Sequence, residues 1–173
     1  MLMLGTVLAA ASLQAAGGAA PALPADPKVW IGEPQSWARL RGQVVLLDVW
    51  AFGCVNCVNT LPWVRGVHEK YGAKGVRVIG VHTPEFGYEK KRDSVEAEIK
   101  KHGLVYPIFL DNDMAYWDAL KNQYWPTTYL VDKCGKLREK HIGEVHAGEA
   151  TGNEIEAALD KLLAEPRDCP ARP

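Results

Sequence analysis

The sequence predicts an α/β fold in which a central mixed sheet is flanked by helices. Three observations lead to this prediction. The apolar run at residues 44–51 is continuous, which is typical of a strand covered on both faces. A helical pattern at 55–71 and a second apolar strand at 76–81 follow it, an order that predicts a parallel pair. A strand, a turn and a returning strand at 127–142 predict antiparallel pairing as well.

The N-terminal residues differ in composition from the rest of the chain. Residues 1–22 carry no charged side chain and contain small residues that fit A-x-A-like cleavage sites, which predicts a secretory signal peptide. An uncleaved membrane anchor is the alternative, although glycines and a proline interrupt the apolar run. Residues 23–34 predict a linker, because they contain prolines and little periodicity. We expect one folded domain at 35–165 and a C-terminal tail at 166–173.

The other elements of the domain follow from short apolar segments and the residues that end them. The first helix contains Pro62, which should kink it. A charged stretch at 89–102 predicts a surface helix, and an amphipathic pattern at 153–163 predicts the last helix. The remaining predicted elements are a strand at 106–110, a short helix around 114–123, a strand at 127–131, a turn at 132–135 and a strand at 136–142.

The composition excludes several classes of function. A chain of 173 residues is long enough for one domain with a hydrophobic core. Its net charge of -1 gives no electrostatic reason to expect nucleic acid or an anionic membrane as a partner. Its 4 cysteines are too few for a disulfide-dense scaffold and too scattered for a four-cysteine zinc site.

Two of the cysteines, Cys54 and Cys57, form a CxxC pair where the first strand gives way to the first helix. Unpaired amides and the helix dipole at this position stabilise a thiolate, the species that attacks disulfides. Cys57 follows about one turn later, so it can resolve a mixed disulfide. CxxC also occurs in zinc sites, but this sequence has no second CxxC to complete one. The pair predicts a dithiol/disulfide couple that needs no metal or organic cofactor.

Asp48 interrupts the apolar strand six residues before Cys54. Aspartate is rarely buried without a partner, and burial raises the pKa of a carboxyl, so Asp48 is a candidate to exchange protons with Cys57. The alternative is a strand-end aspartate bonded to a nearby amide or lysine. Pro126 opens a later strand, where it is either a cis proline or an ordinary trans proline.

Taken together, these residues resemble a known family. The chain is similar to the thioredoxin superfamily in its arrangement of Asp48, Trp50, Cys54, Cys57, Pro62 and Pro126. Its segments VVLLDVWAFGCVNC, VIGVHTPEF, YPIFLDND and YWPTTYLVD resemble exported thiol:disulfide oxidoreductases of the TlpA, ResA and DsbE type, especially the thioredoxin-like (redoxin) domain of DipZ-like proteins. The resemblance covers residues 35–163. It implies a thioredoxin-like fold with the extra helix–strand insertion of TlpA-type proteins.

The resemblance also implies roles for the residues that match. Cys54 is the expected nucleophile, Cys57 the resolving cysteine and Asp48 the buried acid. Pro126 is the expected cis proline, whose loop pairs with the substrate backbone. Many TlpA-type proteins carry a glutamate three residues after the second cysteine, where this chain has Thr60.

Further residues at the carboxyl edge of the sheet are candidates for a substrate groove. They are Trp50, Trp125, Thr127, His82 and Glu85. Glu85, like Asp48, could also supply the proton relay that Thr60 cannot. The alternatives are a strand-end histidine that fixes a turn and aromatic residues that belong to the core.

The remaining cysteines, Cys134 and Cys169, are expected at the end of the domain opposite the CxxC pair. In a thioredoxin-like layout the turn at 132–135 lies there, and the final helix returns to that end before Cys169. An exported protein rarely keeps two such thiols reduced, so we predict a structural disulfide. Two free thiols on a loop and a frayed tail are the alternative.

The sequence therefore predicts an exported enzyme, periplasmic or otherwise outside the cytoplasm, that reduces or exchanges disulfides in client proteins. We expect a monomer that receives electrons from an upstream membrane thiol donor. One alternative is a peroxiredoxin-like peroxidase, although the residues before Cys54 lack the P-x-x-x-T-x-x-C arrangement. Another is a Cu(I) chaperone in which the CxxC pair and a histidine such as His82 or His146 bind copper.

Overall fold

The computed structural model describes residues 14–167 and residue 169. Within these residues, a seven-stranded mixed sheet has the strand order β1-β7-β6-β3-β4-β5-β2. The strands are β1 Gln14–Ala15, β2 Trp30–Ile31, β3 Val44–Trp50, β4 Val76–His82, β5 Ile108–Leu110, β6 Thr127–Val131 and β7 Leu137–Ile142. The helices are α1 Val55–Tyr71, α2 Arg92–His102, α3 Ala115–Ala119 and α4 Ala150–Ala164.

The central strand β3 has neighbours of both orientations. It runs parallel to β4 and antiparallel to β6, and all of its residues are buried. This confirms the predicted mixed sheet and the predicted parallel pair. Between β4 and β6 the chain inserts α2 and β5, and β5 adds a parallel strand beside β4. The predicted helix–strand insertion is therefore present.

Side chains of β3 alternate between two cores on opposite faces of the sheet. Leu46 and Trp50 share one core with apolar residues of α1 and α4. Val45, Leu47 and Val49 share the other core with Tyr129 and the aromatic residues of α3. Because β3 is covered on both faces, a polar side chain within it has no direct route to water.

The first helix has the predicted bounds, while two later elements differ from the prediction. Pro62 lies inside α1 and is exposed. The helix predicted at 89–102 begins later, because residues 87–90 form a 3₁₀ turn and α2 starts at Arg92. The buried side chain of Glu89 belongs to this turn rather than to a surface helix. The helix predicted around 114–123 is limited to α3.

The segment before β3, which we name the N-terminal arm (residues 14–31), packs on the domain. Its strand β1 pairs with β7, and its strand β2 pairs with β5, so the arm occupies both edges of the sheet. Trp30 is buried and donates a hydrogen bond from Nε1 to the carbonyl oxygen of Pro24 over 3.0 Å. Much of the predicted linker at 23–34 is therefore held against the domain, because Trp30 supplies apolar surface that the core covers.

The predicted signal peptide and the predicted C-terminal tail concern the two ends of the chain. Residues 1–13 of the predicted signal peptide lie outside the described residues, and 14–20 pair with β7 and the turn before it. Signal-peptide cleavage stays a prediction. Of the predicted tail at 166–173, the described residues are 166, 167 and 169. Across the described part of the chain, no helix combines the length and apolar character needed to cross a bilayer.

Candidate active site

The cysteine pair lies at the start of α1, where the chain leaves the sheet. Cys54 caps the helix and is half-buried, whereas Cys57 in the first turn is 1% exposed. Their side chains form a disulfide, and their Cα atoms are 5.2 Å apart. The backbone N–H of Cys57 donates a hydrogen bond to Sγ of Cys54 over 3.2 Å. A donor in this place favours negative charge on the Cys54 sulfur once the disulfide is reduced.

Asp48 lies in β3 on the face of the sheet that packs against α1. It shares this face with Leu46 and Trp50, which belong to the same core as Cys57. Asp48 is 1% exposed, and its Oδ2 has no hydrogen-bond partner among the described residues. Burial raises the pKa of Asp48 to about 7. The carboxyl can therefore gain or lose a proton near neutral pH, as general acid–base catalysis requires.

Two more buried polar side chains extend from Asp48 in a row across the sheet. Asp48 pairs with Thr128 of β6, which in turn pairs with His141 of β7. Neither Oγ1 of Thr128 nor the ring nitrogens of His141 have a hydrogen-bond partner within the described residues. Burial lowers the pKa of His141. The sequence did not predict this row, because strand register and not spacing along the chain brings its members together.

An open cleft borders the cysteine pair on the surface. Residues at 53–56, 85–86 and 123–125 line it. Two of the predicted groove residues, Glu85 and Trp125, are therefore at the cleft. Large exposed apolar side chains stand on both of its sides, and they are Val55, Phe86 and Tyr124. The cleft is suited to an extended peptide that brings apolar side chains next to a sulfur.

The other predicted groove residues, Trp50, His82 and Thr127, lie beneath the cleft rather than along it. Each is fully buried, because each belongs to a strand in the interior of the sheet. The ring of His82 packs edge-on against Trp50, with centroids 5.0 Å apart, and stacks on Phe52 at 5.6 Å. Burial lowers the pKa of His82 to about 4, so its imidazole is neutral at physiological pH. These side chains support the floor of the site.

The loop before β6 forms the side of the site near the cysteines. Its Trp125–Pro126 peptide bond is cis, the geometry that the resemblance implies. The indole Nε1 of Trp125 donates to the carbonyl oxygen of Thr83 over 3.0 Å, which ties this loop to the end of β4. Oγ1 of Thr127 donates to the carbonyl oxygen of Tyr124 over 2.7 Å. Side-chain hydrogen bonds therefore hold the loop from both sides of Pro126.

A second disulfide joins the turn after β6 to the C-terminal segment. Cys134 and Cys169 are bonded, with Cα atoms 5.1 Å apart. Beside it, Nζ of Lys133 donates to the carbonyl oxygens of Leu163 and Glu165, each over 2.6 Å. Because β6 separates this turn from the proline loop, the second disulfide lies away from the cleft. It fastens the end of α4 to the sheet.

Comparison with known proteins agrees with this geometry. The Redoxin family model matches residues 15–159. The chain belongs to the Redoxin family. It is 41% identical over 131 residues to the protein DipZ of Mycobacterium tuberculosis, a match that covers 76% of this chain and 18% of DipZ. It is 29% identical over 139 residues to the thiol-disulfide oxidoreductase YkuV of Bacillus subtilis, which covers 80% of this chain and 90% of YkuV.

Solved structures of similar proteins have the same fold. The crystal structure of a thiol-disulfide isomerase from Corynebacterium glutamicum aligns with a TM-score of 0.71 and 26% identity, covering 85% of this chain and 98% of that one. Redoxin membership and the CxxC pair confirm the predicted enzyme class, thiol:disulfide oxidoreductase. The chain spans about a fifth of DipZ, 18% of its length, so the properties of full-length DipZ do not transfer to it.

Proposed function

We propose that this Redoxin-family chain is exported and reduces or exchanges disulfides in extracytoplasmic client proteins. The observation that carries the proposal is the unequal exposure of two bonded sulfurs beside an open cleft. Cys54 can meet a client there, while Cys57 is buried behind it in the first turn of α1. This asymmetry assigns attack on the client to Cys54 and resolution to Cys57.

In the reducing direction, the Cys54 thiolate attacks one sulfur of the client disulfide. A bond forms between Cys54 and that sulfur, and the other client sulfur leaves as a thiolate that takes up a proton. The amide of Cys57, which donates to Sγ of Cys54 over 3.2 Å, favours the attacking thiolate. Client backbone beside the cis Pro126 would hold the reacting sulfurs in line.

In the second step, Cys57 loses its proton and attacks Sγ of Cys54. The disulfide between Cys54 and Cys57 forms, and the client sulfur leaves as its second thiol. The carboxylate of Asp48 accepts the Cys57 proton, a role that suits its pKa of about 7 and its place on the sheet face that packs against α1. Two electrons have then passed to the client, and a dithiol donor at the membrane restores the reduced pair.

Export is supported by two features outside the site. The first 22 residues lack charge and resemble a signal peptide. The disulfide between Cys134 and Cys169 suits an oxidising compartment, because the cytosol keeps most thiols reduced. Its distance from the cleft separates it from catalysis, so we assign it a structural role.

A redox titration tests the proposed function. The protein is equilibrated with glutathione or dithiothreitol buffers, and alkylated thiols are counted by mass. We expect a two-electron transition at Cys54 and Cys57, and its absence would rule out the proposal. A Cys57→Ser variant should accumulate mixed disulfides with clients, whereas the matched Cys54→Ser variant should not. Stoichiometric Cu(I) binding by a reduced protein without reductase activity would favour the chaperone instead.

A further inference from the structure

Glu89 is a buried carboxyl that the proposed mechanism does not use. It is fully buried in the 3₁₀ turn Gly87–Lys90. Its Oε1 accepts a hydrogen bond from the backbone N–H of Gly53 over 2.6 Å. Its Oε2 accepts from the N–H groups of Glu85 over 2.7 Å and Phe86 over 2.6 Å. Three backbone donors from two separate segments offset the cost of burying this group.

These hydrogen bonds join two parts of the active site. Gly53 immediately precedes Cys54, and residues 85–86 form a facing part of the cleft wall. At Gly53 an added Cβ would displace the hydroxyl of Tyr88 and would lie 3.0 Å from Oε1 of Glu89. The glycine therefore lets the backbone come close enough to donate to the carboxylate.

The carboxylate of Glu89 lies against the backbone that precedes the reacting cysteine. All three of its hydrogen bonds come from neutral amides, and among the described residues no Lys, Arg or His forms an ion pair with it. A negative charge that contacts Gly53, the residue before Cys54, opposes formation of a thiolate at Cys54. It works against the amides and the dipole at the start of α1. Destabilising the dithiol form in this way makes the pair a stronger reductant.

We infer that Glu89 is a positioning residue of the active site with two effects. It fastens the backbone before Cys54 to the wall of the cleft at 85–86, and its charge shifts the cysteine pair towards reduction of clients. The inference rests on the proposed function and adds a direction to it. It assigns the preference for reducing clients to Glu89, which lies outside the two residues between Cys54 and Cys57.

The substitution Glu89→Gln separates charge from shape. Glutamine keeps the size of the side chain but has one acceptor oxygen, so one of the two joined segments loses its acceptor. In the reduced protein, we expect the titration midpoint for the Cys54 thiolate, read at 240 nm, to fall by about 0.5 pH unit or more. The equilibrium with glutathione should shift roughly three-fold towards the dithiol, the same effect expressed as a ratio. Glu69→Gln removes a charge from an exposed side chain of α1 and should change neither value.

A second variant keeps the inference testable if Glu89→Gln unfolds. Glu89→Asp retains the charge but is one methylene shorter, so we expect a thiolate midpoint close to that of the unchanged protein. Its amides at residue 53 or at 85–86 should exchange hydrogen faster. An unchanged midpoint and equilibrium in a folded Glu89→Gln protein would overturn the inference, as would failure of both variants to fold. Absence of any dithiol transition in the unchanged protein would instead refute the proposed function.

Discussion

Replacing Asp48 with asparagine tests how burial controls the acid beneath the cysteine pair. Burial raises the pKa of Asp48 from an ordinary value of 3.8 to about 7. Between these pH values the native state holds a proton that the unfolded chain releases. The contribution of Asp48 to stability therefore falls as pH rises through this window and falls no further above it. Asparagine has nearly the same size and does not titrate, so Asp48→Asn removes this loss.

The size of the effect follows from the difference between the two pKa values. That difference, about 7 minus 3.8, is about 3 units, and each unit corresponds to about 1.4 kcal/mol. At pH 8, Asp48→Asn should raise the free energy of unfolding by about 4 kcal/mol relative to the unchanged protein. At pH 5 the gain should fall to about 2 kcal/mol, because the native carboxyl is then protonated.

Urea unfolding of the oxidised protein at pH 8 and pH 5 measures both values. The matched control is Asp118→Asn, which makes the same chemical change at an exposed position of α3 and should leave both free energies nearly unchanged. A gain that is equal at the two pH values would refute titration of Asp48 as its cause. A loss of stability at pH 8 would refute the reasoning altogether.

Three further changes should have measurable effects. Replacing Cys134 and Cys169 together with serine should lower the free energy of unfolding by about 4 kcal/mol, because the disulfide closes a loop across 35 positions, while the redox titration of the catalytic pair stays the same. Unaltered stability without reductant would contradict this. Burial lowers the pKa of His82 from 6.5 to about 4, so the unfolded chain takes up this proton first as pH falls, and His82 should contribute a loss of about 2 kcal/mol between pH 7 and pH 5. Asp48 acts in the opposite direction over this range, so the loss is read in urea unfolding as the difference between the unchanged protein and His82→Gln. The advantage of His82→Gln should be about 2 kcal/mol larger at pH 5 than at pH 7, and an equal difference at both pH values would show that His82 does not titrate in this way. In Gly80→Ala the new Cβ would meet Cγ1 of Ile108 at 2.7 Å, so we expect a cost of about 1–3 kcal/mol in the same assay; a neutral substitution would show that β5 can move aside.

The interior of the sheet could be predicted because its signals are local. A long apolar run marks β3, and periodic apolar residues mark α1, whose bounds agree with the prediction. The strands β1 and β2 could not be predicted, since two residues carry no period and their pairing depends on distant backbone. The arm was therefore expected as signal peptide and linker, although it contributes to the sheet.

The residues of the candidate site likewise fall into two groups, those that local sequence signals reveal and those that only the folded structure reveals. The CxxC spacing in the sequence reveals Cys54 and Cys57, and a polar residue within an apolar run reveals Asp48. Glu89 stands among charged residues that predict a surface helix, and only the 3₁₀ turn directs its side chain inward. His141 stands in a strand with charged residues and reaches the polar row through register with β6.

The N-terminal arm also bears on how the domain meets other chains. An open sheet edge is a template on which another polypeptide can add a strand, and repeated addition leads to polymers. One arm blocks both templates, because β1 lies on β7 and β2 lies on β5. Cleavage just after Ala20 would uncover β7 and leave β5 blocked. The position of processing would then decide whether the mature domain stays solitary or recruits a strand from a second copy.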